Sequence, residues 1–238
     1  MEMKLVPSPG SYTNETLTER VRQLIQTAIV EGTIEEGQAI TEMEIAESLQ
    51  VSRTPIREAF RLLSAQGYLT ILPRKGVYVR QISVTELQEM YAVRIELESM
   101  AMRLAASSNP EEVVARLSRS LDTQSQCIHR SDVVGYIQEN IKFHEVFSDL
   151  CGNGYLKSLV KAIEDHTLRY RVLSLRTLPG RMEVSYKDHV FIRDFIREGK
   201  LTIAEQVLRE HILASRAQLE QRLKQKVVKQ GNRHDGTS

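Results

Sequence analysis

Val51-Ser-Arg-Thr-Pro-Ile-Arg-Glu-Ala-Phe-Arg-Leu-Leu63 is the stretch on which the fold is decided. Ile56, Ala59, Phe60 and Leu63 recur at helical spacing and predict one buried face. Arg53, Arg57 and Arg61, four residues apart in turn, predict a cationic face beside it. Ser52 stands where a helix N-cap is expected, and Pro55 falls in the first turn, where a missing N–H costs nothing. Gly67 supplies the stop. A helix of this kind has an apolar side for packing and a basic side for something else.

The flanks complete a motif. Upstream, Leu17, Val21, Leu24, Ile25, Ala28 and Ile29 predict a helix from about Asn14 to Glu31, ended by Gly32. A short turn and strand follow at Gly37 to Ile40. Thr41 with Glu44 three residues on is a capping-box signature for a short helix that turns Ile45, Ala46 and Leu49 inward. Downstream, Tyr68–Leu72 and Val77–Arg80 alternate as two strands around Pro73-Arg74-Lys75-Gly76. Three helices and then a hairpin predict a winged helix-turn-helix. In such a domain the third helix offers its N-terminal residues to base edges in the major groove. Arg53, Arg57 and Arg61 are of the type that pairs with guanine O6 and N7. Ser52 and Thr54 place hydroxyls and free N–H groups where phosphate is bound. Arg74 and Lys75 add cations beside the groove, and Gly76 lets the backbone approach closely. The bland alternative, a solvated arginine face, does not account for the capped helix, its proline, the preceding helix and the basic hairpin occurring together.

Composition sets the frame. The chain has 238 residues, room for two domains with cores of their own. Hydrophobic content of 41% and charged content of 26% are ordinary for a globular protein, and aromatics at 5% with no Trp favour a helix-rich, aliphatic core. The net charge is +1, which excludes a bulk polycation. Locally, Val51 to Arg80 carries six cations against Glu58 alone, the basic face that a phosphate backbone requires. No apolar run predicts a membrane span, and Met1–Gly10 lacks the basic start and apolar run of a signal peptide. Cys127 and Cys151 fit no CxxC pattern and predict free thiols in a reducing cytoplasm.

From Ser83 onward every pattern is helical. Ser83 with Glu86, and Asn109 before Pro110, predict helix starts, and further helices are expected over about 132–150, 155–175, 181–198 and 201–226. The expected organisation is a flexible arm at 1–12, a winged helix-turn-helix at 13–81, an all-helical bundle at 82–226 that binds an effector and dimerises, and a disordered tail at 227–238. Asn140 and His144 share a helix face, and His189 and His211 sit on two further helices. A bundle can bring such side chains to one interior point, and imidazole nitrogens suit Zn²⁺ or Ni²⁺. Each histidine alone also reads as a hydrogen-bonded core residue. His129 and His234 read as exposed, and His166 and Arg169 as further residues able to line a cavity.

The segment Thr18–Val79 resembles the GntR family of bacterial regulators, on the residues around Thr41-Glu42 and Glu44-Ile45-Ala46, the string Val51-Ser-Arg-Thr-Pro-Ile-Arg-Glu-Ala59, and Gly67-Tyr68-Leu69. That resemblance implies operator contacts by Arg53, Thr54, Arg57 and Gly76. Met43 stands where some members carry an arginine. Ser83 to about Arg216 resembles the FCD ligand-binding domain of the FadR subfamily, on Arg94-Ile-Glu-Leu-Glu98, Phe143-His144, Gly152-Asn153, Asp188-His189 and His211. It implies a divalent metal held by His144, His189 and His211, with Asn140 in the fourth position where Asp is usual. It also implies a small carboxylate effector near Arg94, with Tyr91 one turn away, and a homodimer on palindromic double-stranded DNA. Arg94 also reads as an intrahelical partner of Glu98. Two alternatives stay open: a metal-independent bundle for a larger ligand such as an acyl-CoA, and a metal-dependent enzyme, although no HExxH motif is present.

Overall fold

The computed structural model describes residues 16–177 and 180–234. The predicted arm at 1–12 lies outside them. The chain divides between Ile82 and Ser83 into two units, each with its own interior.

In the first unit, α1 (Leu17–Glu31) starts where Thr16 accepts a hydrogen bond from the Glu19 N–H and stops at Gly32, whose φ of 76° is left-handed. β1 (Ala39–Ile40) leads into α2 (Glu42–Leu49), opened by the complete Thr41–Glu44 capping box. α3 (Arg53–Ala65) follows after a short turn through Gln50, itself left-handed at φ 55°. Ser52 holds the N-cap position but its side chain makes no capping bond, a correction to the expected cap. β2 (Leu69–Leu72) and β3 (Gly76–Val79) form the hairpin, and β1 pairs with the other edge of β3, giving an antiparallel sheet of order β1-β3-β2. The register sets Leu72 opposite Gly76 and Ile40 opposite Val77. Val21, Ile25, Ile45, Ile56, Phe60, Leu63, Tyr68 and Val79 close one apolar core. Burial of each such side chain contributes about 1.5–3 kcal/mol, and this core fixes α3 with its arginines outward.

The second unit is a helical bundle: α4 (Val84–Ser108), α5 (Pro110–His129), α6 (Val133–Leu150), α7 (Gly154–Thr177), α8 (Arg181–Arg197) and α9 (Leu201–His234). α4 packs against α6, α7 and α9, α5 against α6 and α8, and α8 against α9. Ser83 accepts from the Glu86 N–H and Asp132 from the Gly135 N–H, whereas Asn109 makes no side-chain cap and leaves the start of α5 to Pro110. α9 runs to His234, past the expected end at Lys226. No proline interrupts residues 227–234, and extending a formed helix costs little per residue. Residues 235–238 of the expected tail lie outside the described residues. Among the described residues no helix is long and apolar enough to cross a membrane. Cys127 and Cys151 are buried free thiols.

The buried stripe of α4 runs Leu87, Tyr91, Arg94, Glu98, Met102 and Ala105. Two charged residues thus hold positions that a packed helix ordinarily fills with apolar ones. α6 repeats the pattern with Tyr136, Asn140, Phe143, His144 and Phe147. The bundle interior is polar at its centre.

Candidate functional site

The outward face of α3 presents Arg53, Thr54, Arg57 and Arg61, all exposed, with Ser52 exposed at its start. Arg57 is not loose. Its Nε and Nη2 donate to the two carboxylate oxygens of Glu42 in α2, each at 2.8 Å. The Glu42 carboxyl is held below its ordinary pKa by the hydrogen bonds from Arg57 first, with the charges of Arg57, Arg53 and Arg61 adding to them, while burial opposes the shift. Glu42 therefore sits in the combined field of all three arginines and orients the guanidinium of Arg57. The hairpin tip is also exposed. Arg74 adopts a left-handed φ of 62° and Gly76 a φ of 113°, while the Lys75 N–H donates to the Leu72 carbonyl at 3.0 Å. The Tyr78 hydroxyl donates to the Lys75 carbonyl at 2.9 Å and holds the tip in shape. Met43 is exposed at the start of α2.

In the bundle the three histidines converge. His144, His189 and His211 are all buried, and one ring nitrogen of each lies within 4.8 Å of the others. Each Nδ1 meets an oxygen from elsewhere: Glu98 Oε2 at 2.7 Å for His144, Gln124 Oε1 at 3.0 Å for His189, and Asp188 Oδ2 at 3.0 Å for His211. This arrangement fixes a tautomer with the proton on Nδ1 and a free lone pair on Nε2, the pattern of histidines that bind metal. His189 Nε2 is buried with no hydrogen-bond partner among the described residues. Phe143 stacks on the same ring, centroids 3.8 Å apart and planes within 8°, and locks its orientation. Burial holds all three imidazoles below the ordinary histidine pKa, His144 down to about 3, so they are neutral at pH 7 as ligation requires.

Asn140 lines a small cavity together with His144 and His211, but its amide is engaged. Nδ2 donates to Ser185 Oγ at 3.2 Å, and Oδ1 accepts from Arg171 Nη2 at 3.1 Å. Asn140 reaches a metal only by giving up Arg171. Arg94 is fully buried and pairs with Glu98 through Nε, the intrahelical pairing its spacing predicts. Glu98 does two jobs: one oxygen takes Arg94 and the other takes His144. Burial alone would raise its pKa, yet Arg94 and His144 hold it well below the ordinary carboxylate range. Tyr91 lies under Arg94, whose guanidinium carbon is 5.3 Å from the ring centroid. His166 is half-buried and does not line the cavity. The side chain of Arg169 lies outside the described residues.

Several residues of the site were not singled out from sequence. Gln124 supports His189, and Arg171 and Arg181 border the cavity with Arg94. A signal for Arg171 exists: Val160, Glu164, Thr167, Arg171 and Ser174 form one buried stripe of α7. Glu164, buried 3.8 Å from Arg171, has its pKa pushed up to about 7 by burial and by the charge of Glu98. The cavity among these groups is small, 10 Å³, about the space of one water.

Comparisons with known proteins agree with both halves. Residues 17–79 match the family model for bacterial regulatory proteins of the gntR family, and residues 89–214 match the FCD domain. The chain is 32% identical over 191 residues to the HTH-type transcriptional regulator YdhC of Bacillus subtilis, covering 80% of this chain and 83% of that protein. It is 27% identical to the gluconate operon transcriptional repressor of Bacillus licheniformis, over 74% of this chain and 70% of that one. In fold it is similar to McbR/YncC of Escherichia coli, at a TM-score of 0.72 and 21% identity over 88% of this chain and 99% of that one. These relatives are transcription regulators rather than enzymes. With one model spanning the first unit, another spanning more than half of the chain, and a relative of this identity along most of its length, the chain belongs to the GntR family of bacterial transcription regulators, a helix-turn-helix protein that binds operator DNA and carries an FCD domain.

Proposed function

We propose that this regulator is a repressor whose grip on a palindromic operator is released by a small carboxylate bound in the bundle. Reading two half-sites calls for a homodimer, since the symmetry of the DNA mirrors that of the protein. Ser52, Arg53, Thr54, Arg57 and Arg61 on α3 serve the major groove, and Arg74, Lys75 and Gly76 at the hairpin serve the backbone beside it. Arg57 exchanges one or both of its bonds to Glu42 for a base edge.

The observation that carries the effector half is the set of three imidazoles, each with Nδ1 on an oxygen and with His189 Nε2 left orphaned at their centre. Histidines arranged in this way fit a divalent transition metal, Zn²⁺ or Ni²⁺. Four-coordinate ligands at about 2.1 Å stand roughly 3.4 Å apart, so the imidazoles close in by small rotations. When bound, such an ion supplies a Lewis-acidic point of attachment for a carboxylate oxygen. The chain's own residues do the rest: Glu98, Gln124 and Asp188 orient the ligands, and Arg94 balances Glu98. Asn140 is a fourth ligand if it exchanges Arg171. A relative named for the gluconate operon makes a hydroxy-carboxylate the first class to test. A cavity of 10 Å³ admits any ligand only by displacement of its lining, and a compact acid displaces less than an acyl-CoA.

The test is operator binding by fluorescence anisotropy, on a duplex obtained by selection from random DNA, with Zn²⁺-loaded protein and increasing gluconate or a smaller hydroxy acid. The expected result is an affinity lowered by about 5–150-fold at saturation, the usual range of allosteric coupling. No shift with any hydroxy acid contradicts the effector assignment.

A further inference from the structure

The cavity has polar lining groups other than the histidines. Besides His144 and His211 it is lined by Arg171, Ser174, Arg181, Ser185 and Ser215. Three guanidiniums therefore border one small space. Two of them are engaged: Arg94 donates to Glu98, and Arg171 to Asn140. Arg181 differs. It is 4% exposed, yet its Nε and Nη1 are buried and have no hydrogen-bond partner among the described residues.

A buried charge without a partner is among the costliest groups a fold can carry. Burial lowers the Arg181 pKa, and the charge of Asp188 opposes that from a distance. Asp188 is itself held by His211 and hydrogen-bonds neither orphaned nitrogen. Of the carboxylates that could balance the three arginines, Glu98 is shared between Arg94 and His144. Glu164, with its pKa near 7, is only partly ionised at neutral pH. Cationic donors are thus left at a cavity that no carboxylate lines among the described residues.

We propose that the cavity takes a small dianionic acid: one carboxylate faces the His144–His189–His211 cluster, and a second anionic group, carboxylate or phosphate, seats on Nε and Nη1 of Arg181 between the hydroxyls of Ser185 and Ser215. This rests on the bundle being the effector site and adds the ligand's charge and its second anchor. The ligand is compact, and its entry displaces side chains that line the cavity.

Matched acids test this on the full-length, Zn²⁺-loaded chain by calorimetric titration, with metal content checked afterwards. 2-Hydroxybutyrate and malate share an α-hydroxy-carboxylate head, and malate adds a far carboxylate. Glycerate and 3-phosphoglycerate share the same head, and the second adds a far phosphate. The expected result is that one dianion at least binds about 10- to 100-fold tighter than its monoanionic mate, the usual worth of a hydrogen bond to a charged group. Which pair shows the preference identifies the second group. Arg181→Gln should abolish that preference and leave the monoanions nearly unchanged, while Arg181→Lys should keep part of it. Equal affinity within both pairs, or a preference that survives Arg181→Gln, overturns the second anchor and leaves the carboxylate reading standing. If none of the four acids binds, both fall.

Discussion

The two units solve opposite problems with the same element. In the first, α3 hides an uninterrupted apolar face and puts its arginines in water. In the second, α4, α6 and α7 turn charged and polar residues into the core. The first separates stability from its proposed function, because none of the residues proposed to meet DNA belongs to its apolar core. The second merges them: Arg94, Glu98 and His144 are packing residues and site residues at once. Substitutions should therefore act differently in the two units.

The largest effects test that contrast directly. Phe60→Ala should cost about 3–5 kcal/mol through a cavity in the first unit. Glu98→Ala should cost a similar amount in the bundle, since removing one partner strands a buried Arg94 and the His144 Nδ1. Denaturant titration with a probe in each unit checks both. If Glu98→Ala costs under about 1 kcal/mol, the buried network is not structural.

Acid should come next and, between about pH 6.5 and 5, act mainly on the bundle, where the buried histidines lie. A histidine whose folded pKa is depressed binds its proton more readily when unfolded, so its contribution to stability is lost as pH falls below the unfolded value of about 6.5. Three buried histidines act in this sense. Glu164, whose pKa is raised to about 7, acts oppositely and gains as pH falls toward 4.5. Three such histidines outweigh one glutamate, so the net is stability lost as pH falls from about 6.5 toward 5. A metal-free bundle equally stable at pH 7 and 5 contradicts the assigned protonation states.

Surface changes in the first unit should leave folding untouched and show only in DNA binding. Arg57→Ala is expected to weaken specific binding about 5- to 150-fold and relax preference at one base pair. Lys75→Ala should weaken all sequences alike and lower the salt slope by about one. If the two variants lose affinity in the same sequence-independent way, α3 does not read bases.

What could be read in the sequence follows the same division. Thr41 with Glu44, Pro55, Gly67 and the arginine spacing are local signals, and each landed where the pattern put it. The surface partner of Arg57 was not legible, because Glu42 reaches it only through the angle between α2 and α3. In the bundle, spacing put His144, His189 and His211 on faces that could meet, and they do. Their supports could not be read, since periodicity gives a helix a face but not its phase against another. Asp188 shows why: it adjoins His189 in sequence, points about 100° away from it on the helix, and holds His211 instead. Asn140 shares the face of His144 as expected, but the hold of Arg171 on its oxygen is a tertiary fact. Ser52 stands at a helix start without capping it, because the N-cap position does not by itself fix the side-chain rotamer.

The most direct test of the central claim is elemental metal analysis of protein purified without affinity tag or chelator, with His189→Ala in parallel. The account predicts about one Zn²⁺ or Ni²⁺ per chain, and none in the variant. A chain that stays metal-free after exposure to both ions, or a variant that binds as much as its parent, would contradict it.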